Sequence, residues 1–108
     1  MANYLLVYHG GGNGPSSPEE GQAVMQAWMT WMGGLGAALV DGGNPITRGW
    51  TVSKDGTEEN AGSNPATGYS VITADSMQAA LELSMGCPHL ASGGTIELCE
   101  TINASEMT

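Results

Sequence analysis

The sequence predicts an α+β domain of order β-α-β-β-α-β, an antiparallel sheet with its helices on one face. Two observations predict it. Between Thr67 and Glu100 the apolar period switches from strand to helix and back to strand. The first half of the chain shows the same strand-then-helix order, so two similar units are joined as in a ferredoxin-like sandwich. At 108 residues the chain has room for one core. Residues 1–102 are therefore read as a single domain and 103–108 as a frayed tail.

Asn3 to His9 is the first strand, a nearly continuous apolar run that suggests burial on both faces. Gly10, Gly11, Gly12, Gly14 and Pro15 then break it. Ser17-Pro18-Glu19-Glu20 starts a helix, with Ser17 as N-cap, Pro18 at the first helical position and Glu20 closing a capping box. The helix is expected to end near Met32, before Gly33-Gly34. At 100° per residue Val24, Met25, Trp28, Met29, Trp31 and Met32 fall within an arc of about 160°. The stripe is read as a core face filled by adaptable side chains rather than as a ligand site.

Ala37 to Val40 is apolar and ends in the turn cluster Asp41-Gly42-Gly43-Asn44-Pro45. A strand pattern resumes over Ile46 to Val52, and the polar segment Ser53 to Thr67 is the longest loop, with Lys54-Asp55-Gly56 as a hairpin signal. Gly68 to Thr73 is the next strand. Asp75 caps the second helix, whose face is Met77, Ala80, Leu81, Ser84 and Met85 and whose end is set by Gly86 and Pro88. Thr95 to Ile102 is the last strand. The sheet face away from the helices is assigned Tyr4, Tyr8, Tyr69, Glu97 and Cys99, too apolar for water and too polar for a dry core, which predicts a homodimer through that face.

Eleven Asp and Glu stand against only Arg48 and Lys54, a formal net charge of -9. Binding to a phosphate backbone needs clustered cations, so nucleic acid is excluded as a partner, and an anionic membrane surface repels this chain for the same reason. No apolar run approaches the ~20 residues of a membrane helix, and the first strand follows Met1 without a basic leader. Cys87 and Cys99 have neither scaffold density nor metal spacing, so no cofactor or metal is expected and both thiols are read as reduced in a cytoplasmic protein.

The run Leu35 to Gly43, the segment Gly68 to Ser76 with Ala79-Ala80-Leu81, the turn Cys87-Pro88-His89-Leu90 and the closing Thr95-Ile96-Glu97-Leu98 resemble YCII-related domain proteins. The resemblance implies a ferredoxin-like domain that dimerises sheet to sheet as an α+β barrel, with a pocket between sheet and helices. It also implies a His and Asp pair, and here the chain departs: Met25 or Gln26 stands at the His position and Cys87, before Pro88, at the Asp position. The Asp-Gly-Pro-Phe motif of one branch is replaced by Asn64-Pro65-Ala66-Thr67. Neither Met nor Gln titrates near neutral pH, so no acid/base activity of that kind is expected.

The candidate site residues are His9, Asp41, Arg48 and His89, the polar or titratable groups at element ends, where pockets of such folds open. Arg48 either pairs with a surface carboxylate or meets an anionic ligand. Cys87 is expected at a helix C-terminus as an inert thiol. The glycine-rich loop lacks the Lys-Ser/Thr of a phosphate-binding loop and is read as a plain connection. Three functions stay open: a dimeric module binding an unknown small molecule, a lyase or isomerase acting on a small substrate through His9 or His89, and a structural or regulatory partner protein.

Overall fold

A computed structural model describes residues 1–11, 16–60 and 62–107. The elements are β1 (Ala2–His9), α1 (Pro18–Leu35), β2 (Leu39–Asp41), β3 (Thr51–Ser53), β4 (Gly56–Glu58), β5 (Ala66–Ala74), α2 (Met77–Ser84), α3 (Pro88–Ala91) and β6 (Thr95–Thr101), with 3-10 turns at Gly36–Ala38 and Ala104–Met107. Four strands form an antiparallel sheet in the order β2-β5-β1-β6, while β3 and β4 form a separate two-stranded sheet. The fold is thus α+β. Of the glycine-rich loop, Gly12 to Pro15 lie outside the described residues.

Strand alternation sorts the sheet into two faces. Tyr4, Leu6 and Tyr8 of β1 and Ser70, Ile72 and Ala74 of β5 are buried under the helices, with Leu6, Ser70 and Ile72 fully inaccessible. Burying Leu6 and Ile72 stabilises the fold by about 1.5–3 kcal/mol each. The opposite face carries Leu5 and Val7, flanked in register by Val71 and Tyr69 on one side and Cys99 and Glu97 on the other. Tyr4 and Tyr8 therefore belong to the helix-covered face, not the open one as the sequence suggested: a nearly all-apolar strand gives no alternation from which to read its phase.

Helix α1 begins as expected, with the Ser17 hydroxyl accepting from the Glu20 backbone N–H at 3.1 Å, although the Glu20 carboxylate takes the Ser16 hydroxyl instead of completing the capping box. It continues through Gly33-Gly34 to Leu35 and stops at Gly36, whose φ is +54°. Two helical glycines cost about 1–2 kcal/mol together, and burial of Leu35 offsets that amount. Trp31 fixes α1 to the next unit by donating its indole N–H to the Leu83 carbonyl at 3.1 Å.

The strand expected over Ile46 to Val52 shortens to β3. Pro45 bridges Gly68 and the Ile46 N–H donates to the Thr67 carbonyl at 2.9 Å, but proline has no N–H to extend a ladder, and the chain leaves the sheet. The β3–β4 hairpin is exposed along its length, with Trp50 at 50% and Val52 at 76% exposure. The radius of gyration is 15.5 Å, against about 13 Å for a compact chain of this length.

Ser76, not Asp75, caps α2, its hydroxyl accepting from the Ala79 N–H at 3.1 Å. The buried side of α2 is Ala80 and Ser84, flanked by partly buried Ala79 and Leu83, while Met77, Leu81 and Met85 are exposed. Small residues at this contact let the helix lie close to β5 and β6. Pro88 does not end a helix but opens α3 at its first position, so Cys87 stands at a helix N-cap rather than a C-terminus. The tail, expected to be frayed, forms the 3-10 turn Ala104–Met107.

Candidate functional site

A cavity of about 400 Å³ opens where the C-terminal end of β1 meets α1, α3 and the turn Gly42 to Pro45. Its size lies within the range of small-molecule sites. The walls are Val24, Met25, Trp28 and Met32 of α1 facing Tyr8 and Pro45, with His89 at one end. The Met and Trp stripe is therefore divided. Trp28 and Trp31 pack against the core, whereas Met25 and Met29 are 66% and 63% exposed and Met25 helps form the cavity mouth. Helical phase places a stripe toward the sheet but cannot say whether the sheet comes close enough to fill the gap.

Tyr8 anchors the cavity floor. Its hydroxyl donates to Ser70 Oγ at 2.8 Å, and Ser70 in turn donates to the Gly42 carbonyl at 2.7 Å. This chain ties β1 and β5 to the rim turn, and burial pushes the phenol up to about 12, so the hydroxyl stays protonated throughout the neutral range. Cys87 lies against the same hydroxyl, and burial raises its thiol, opposed chiefly by a hydrogen bond from the His89 backbone. A protonated thiol is a poor nucleophile, consistent with its near-complete burial. Trp28 stands edge-on to Tyr8, ring centres 5.3 Å apart, and edge-on to Trp31 at 5.8 Å.

The four residues singled out from the sequence occupy different places. His89 lines the cavity, is 9% exposed, and directs Nε2 at the His9 carbonyl at 2.8 Å. His9 contributes that carbonyl, but its ring lies on the other face of the sheet, with Nδ1 toward the Pro65 carbonyl at 3.2 Å and Nε2 toward Glu97 Oε1 at 2.7 Å. Asp41 is exposed and accepts the Gly43 N–H at 2.9 Å, shaping the rim turn without entering the cavity. Arg48 is exposed, away from the cavity, and makes no ion pair among the described residues. Among the described residues no three His, Cys, Asp or Glu side chains gather as a metal site requires.

Both ring nitrogens of His9 face acceptors, an arrangement in which both can donate only when the ring is an imidazolium. Its pKa is raised, chiefly by the Glu97 hydrogen bond, against a smaller opposing effect of burial. Proton binding is thus tighter in the folded chain, and the stabilisation is complete below the ordinary imidazole value and lost as pH rises through the raised one. Histidine NMR titration is expected to place His9 above its ordinary value in the wild type. In Glu97→Gln the midpoint should move down; an unchanged midpoint would show that Glu97 does not hold the proton.

Tyr8, Trp28 and Met25 are the site residues that sequence reasoning missed. The stripe on α1 carried a signal, but it was assigned wholly to the core; for Tyr8 no local signal exists, since its role comes from Ser70, sixty-two positions away. No protein-family model matches this sequence, and no curated protein matches it. Among the described residues, no helix is long and apolar enough to cross a membrane.

Proposed function

We propose that this chain is a cytoplasmic, homodimeric small-molecule-binding module of ferredoxin-like fold, a divergent relative of the YCII-related proteins without their His and Asp pair. The observation that carries the reading is the preformed cavity beside Tyr8 and His89, with apolar walls and a few fixed polar groups. The order β2-β5-β1-β6 supports the fold, because two interleaved β-α-β units place the first and third strands of the sheet at its centre. Met25, at the position of the family's His, lines the cavity, and Cys87 lies behind Tyr8. No carboxylate lines the cavity among the described residues, which favours binding over lyase- or isomerase-type acid/base chemistry. Two free thiols fit a reducing compartment.

Thermal shift against neutral apolar compounds tests the binding site. A ligand at a hundred times its Kd adds about 2.7 kcal/mol of stability. Met25→Glu, at a position two-thirds exposed on α1, should fold normally and abolish the shift, because the carboxylate would be buried against the ligand without a partner. A compound that stabilises wild type and Met25→Glu equally binds elsewhere and would sink this assignment.

The open sheet face supports the homodimer. Leu5, Val7, Tyr69 and Val71 form a half-buried apolar patch there, and the hairpin carries the exposed Trp50 and Val52 beyond the sheet edge. Sedimentation at micromolar concentration is expected to show a dimer burying more than ~1,000 Å², and Val71→Asp a monomer. A wild-type monomer under those conditions would refute the sheet-face assembly.

A further inference from the structure

His89 is held more firmly than a packing residue requires. Nε2 faces a carbonyl, which can only accept, so Nε2 carries the proton. The ring sits in a slot between two glycines: a Cβ at Gly94 would lie 2.1 Å from Nε2, and one at Gly11, where φ is +108°, 2.7 Å from Cε1. Tyr8 closes a third side, ring centres 5.2 Å apart. Any side chain at either glycine would displace the imidazole. Tautomer and orientation are therefore both fixed.

In the neutral ring this leaves Nδ1 as an acceptor; it has no hydrogen-bond partner among the described residues, and it is not sealed off, since no buried side-chain nitrogen or oxygen among them lacks a partner. The other polar side chains at the cavity have partners of their own, the exposed Asn44 amide donating to the Tyr69 hydroxyl at 3.4 Å. Tyr8 donates to Ser70, and Thr67 Oγ1 lies 3.2 Å and 3.3 Å from the carbonyls of Tyr8 and Gly10. No charged side chain lines the cavity among the described residues, so an ionic ligand would lose its hydration without compensation. Trp28 and the thioethers of Met25 and Met32 present flat and polarisable surfaces suited to an aromatic ring.

We propose that His89 is the specificity-determining residue of this cavity, its Nδ1 accepting a hydrogen bond from the O–H or N–H of a neutral, planar aromatic ligand. This rests on the cavity being the binding site. A cap on the His9 carbonyl at the end of β1 needs Nε2 alone and leaves Nδ1 free to meet water or a ligand.

The test compares 2-naphthol with 2-methoxynaphthalene by calorimetry at pH 7.5. Wild type is expected to bind 2-naphthol about tenfold or more tightly than the ether, the size of one buried hydrogen bond. His89→Gln keeps an amide donor for the His9 carbonyl but has no acceptor where Nδ1 stands, so it should fold and show nearly equal affinities. Equal affinities in wild type, or a preference that survives in His89→Gln, would overturn the role of His89 and leave the cavity assignment standing. Binding of neither compound would overturn both. If His89→Gln does not fold, ¹⁵N spectra of wild type decide: the His89 Nδ1 resonance must move upfield with 2-naphthol and not with the ether, and a static resonance refutes the proposal.

Discussion

Gly43→Ala is expected to destabilise the protein by about 2–5 kcal/mol, against a total of about 5–15 kcal/mol for a domain of this size. Gly43 has φ of +73°, and a Cβ there would stand 1.7 Å from the Tyr69 carbonyl oxygen. The left-handed conformation costs an L-residue about 1–2 kcal/mol. The clash is with backbone, not with a side chain that can rotate, so the turn must move away from β5 at a further cost of about 1–3 kcal/mol. That movement would strip the Gly42 carbonyl from Ser70 and the Asp41 carboxylate from the Gly43 N–H, opening the cavity rim. Gly33→Ala is the control: nothing lies within 4 Å of its Cβ position inside α1, so stability should rise by about 0.5–1 kcal/mol. Urea unfolding of the two variants with opposite signs is the expected result; a Gly43→Ala midpoint equal to wild type would refute the close approach of the rim turn to β5.

The α+β order was legible because the local signals agreed with the final packing. Ser17-Pro18 starts α1 and Lys54-Asp55, before Gly56, turns the hairpin, each through chemistry within a few residues. Where the sequence misled, a distant contact had overridden a local rule. Gly33-Gly34 should stop a helix, but Leu35 is held in the core beyond them. The cavity was half legible. His89 stood out as one of two imidazoles and lies in it, whereas His9, equally conspicuous, turns its ring to the opposite face and reaches the site only through its carbonyl. Tyr8 was hidden because an all-apolar strand does not reveal which parity faces the helices.

Trp28→Ala is expected to cost about 3 kcal/mol, the lower end of the range for deleting a large aromatic from a core. The low end applies because the indole is not enclosed on all sides: it packs edge-on against Tyr8 and Trp31 and presents a further surface to the cavity. Its removal has two consequences that can be separated. The loss of edge-to-face contacts, about 0.5–1.5 kcal/mol for each pair, weakens the seat of α1 on β1. The void adjoins a cavity that is already open, so the ligand space grows and small aromatic compounds should bind less tightly. Trp28→Phe retains an aromatic edge for Tyr8 and should recover more than half of the lost stability while leaving the cavity enlarged. Chemical denaturation and ligand titration of both variants separate the two roles. A Trp28→Ala protein as stable as wild type that loses only ligand affinity would show that the indole serves the ligand and that α1 is held by Trp31 and Leu35 without it.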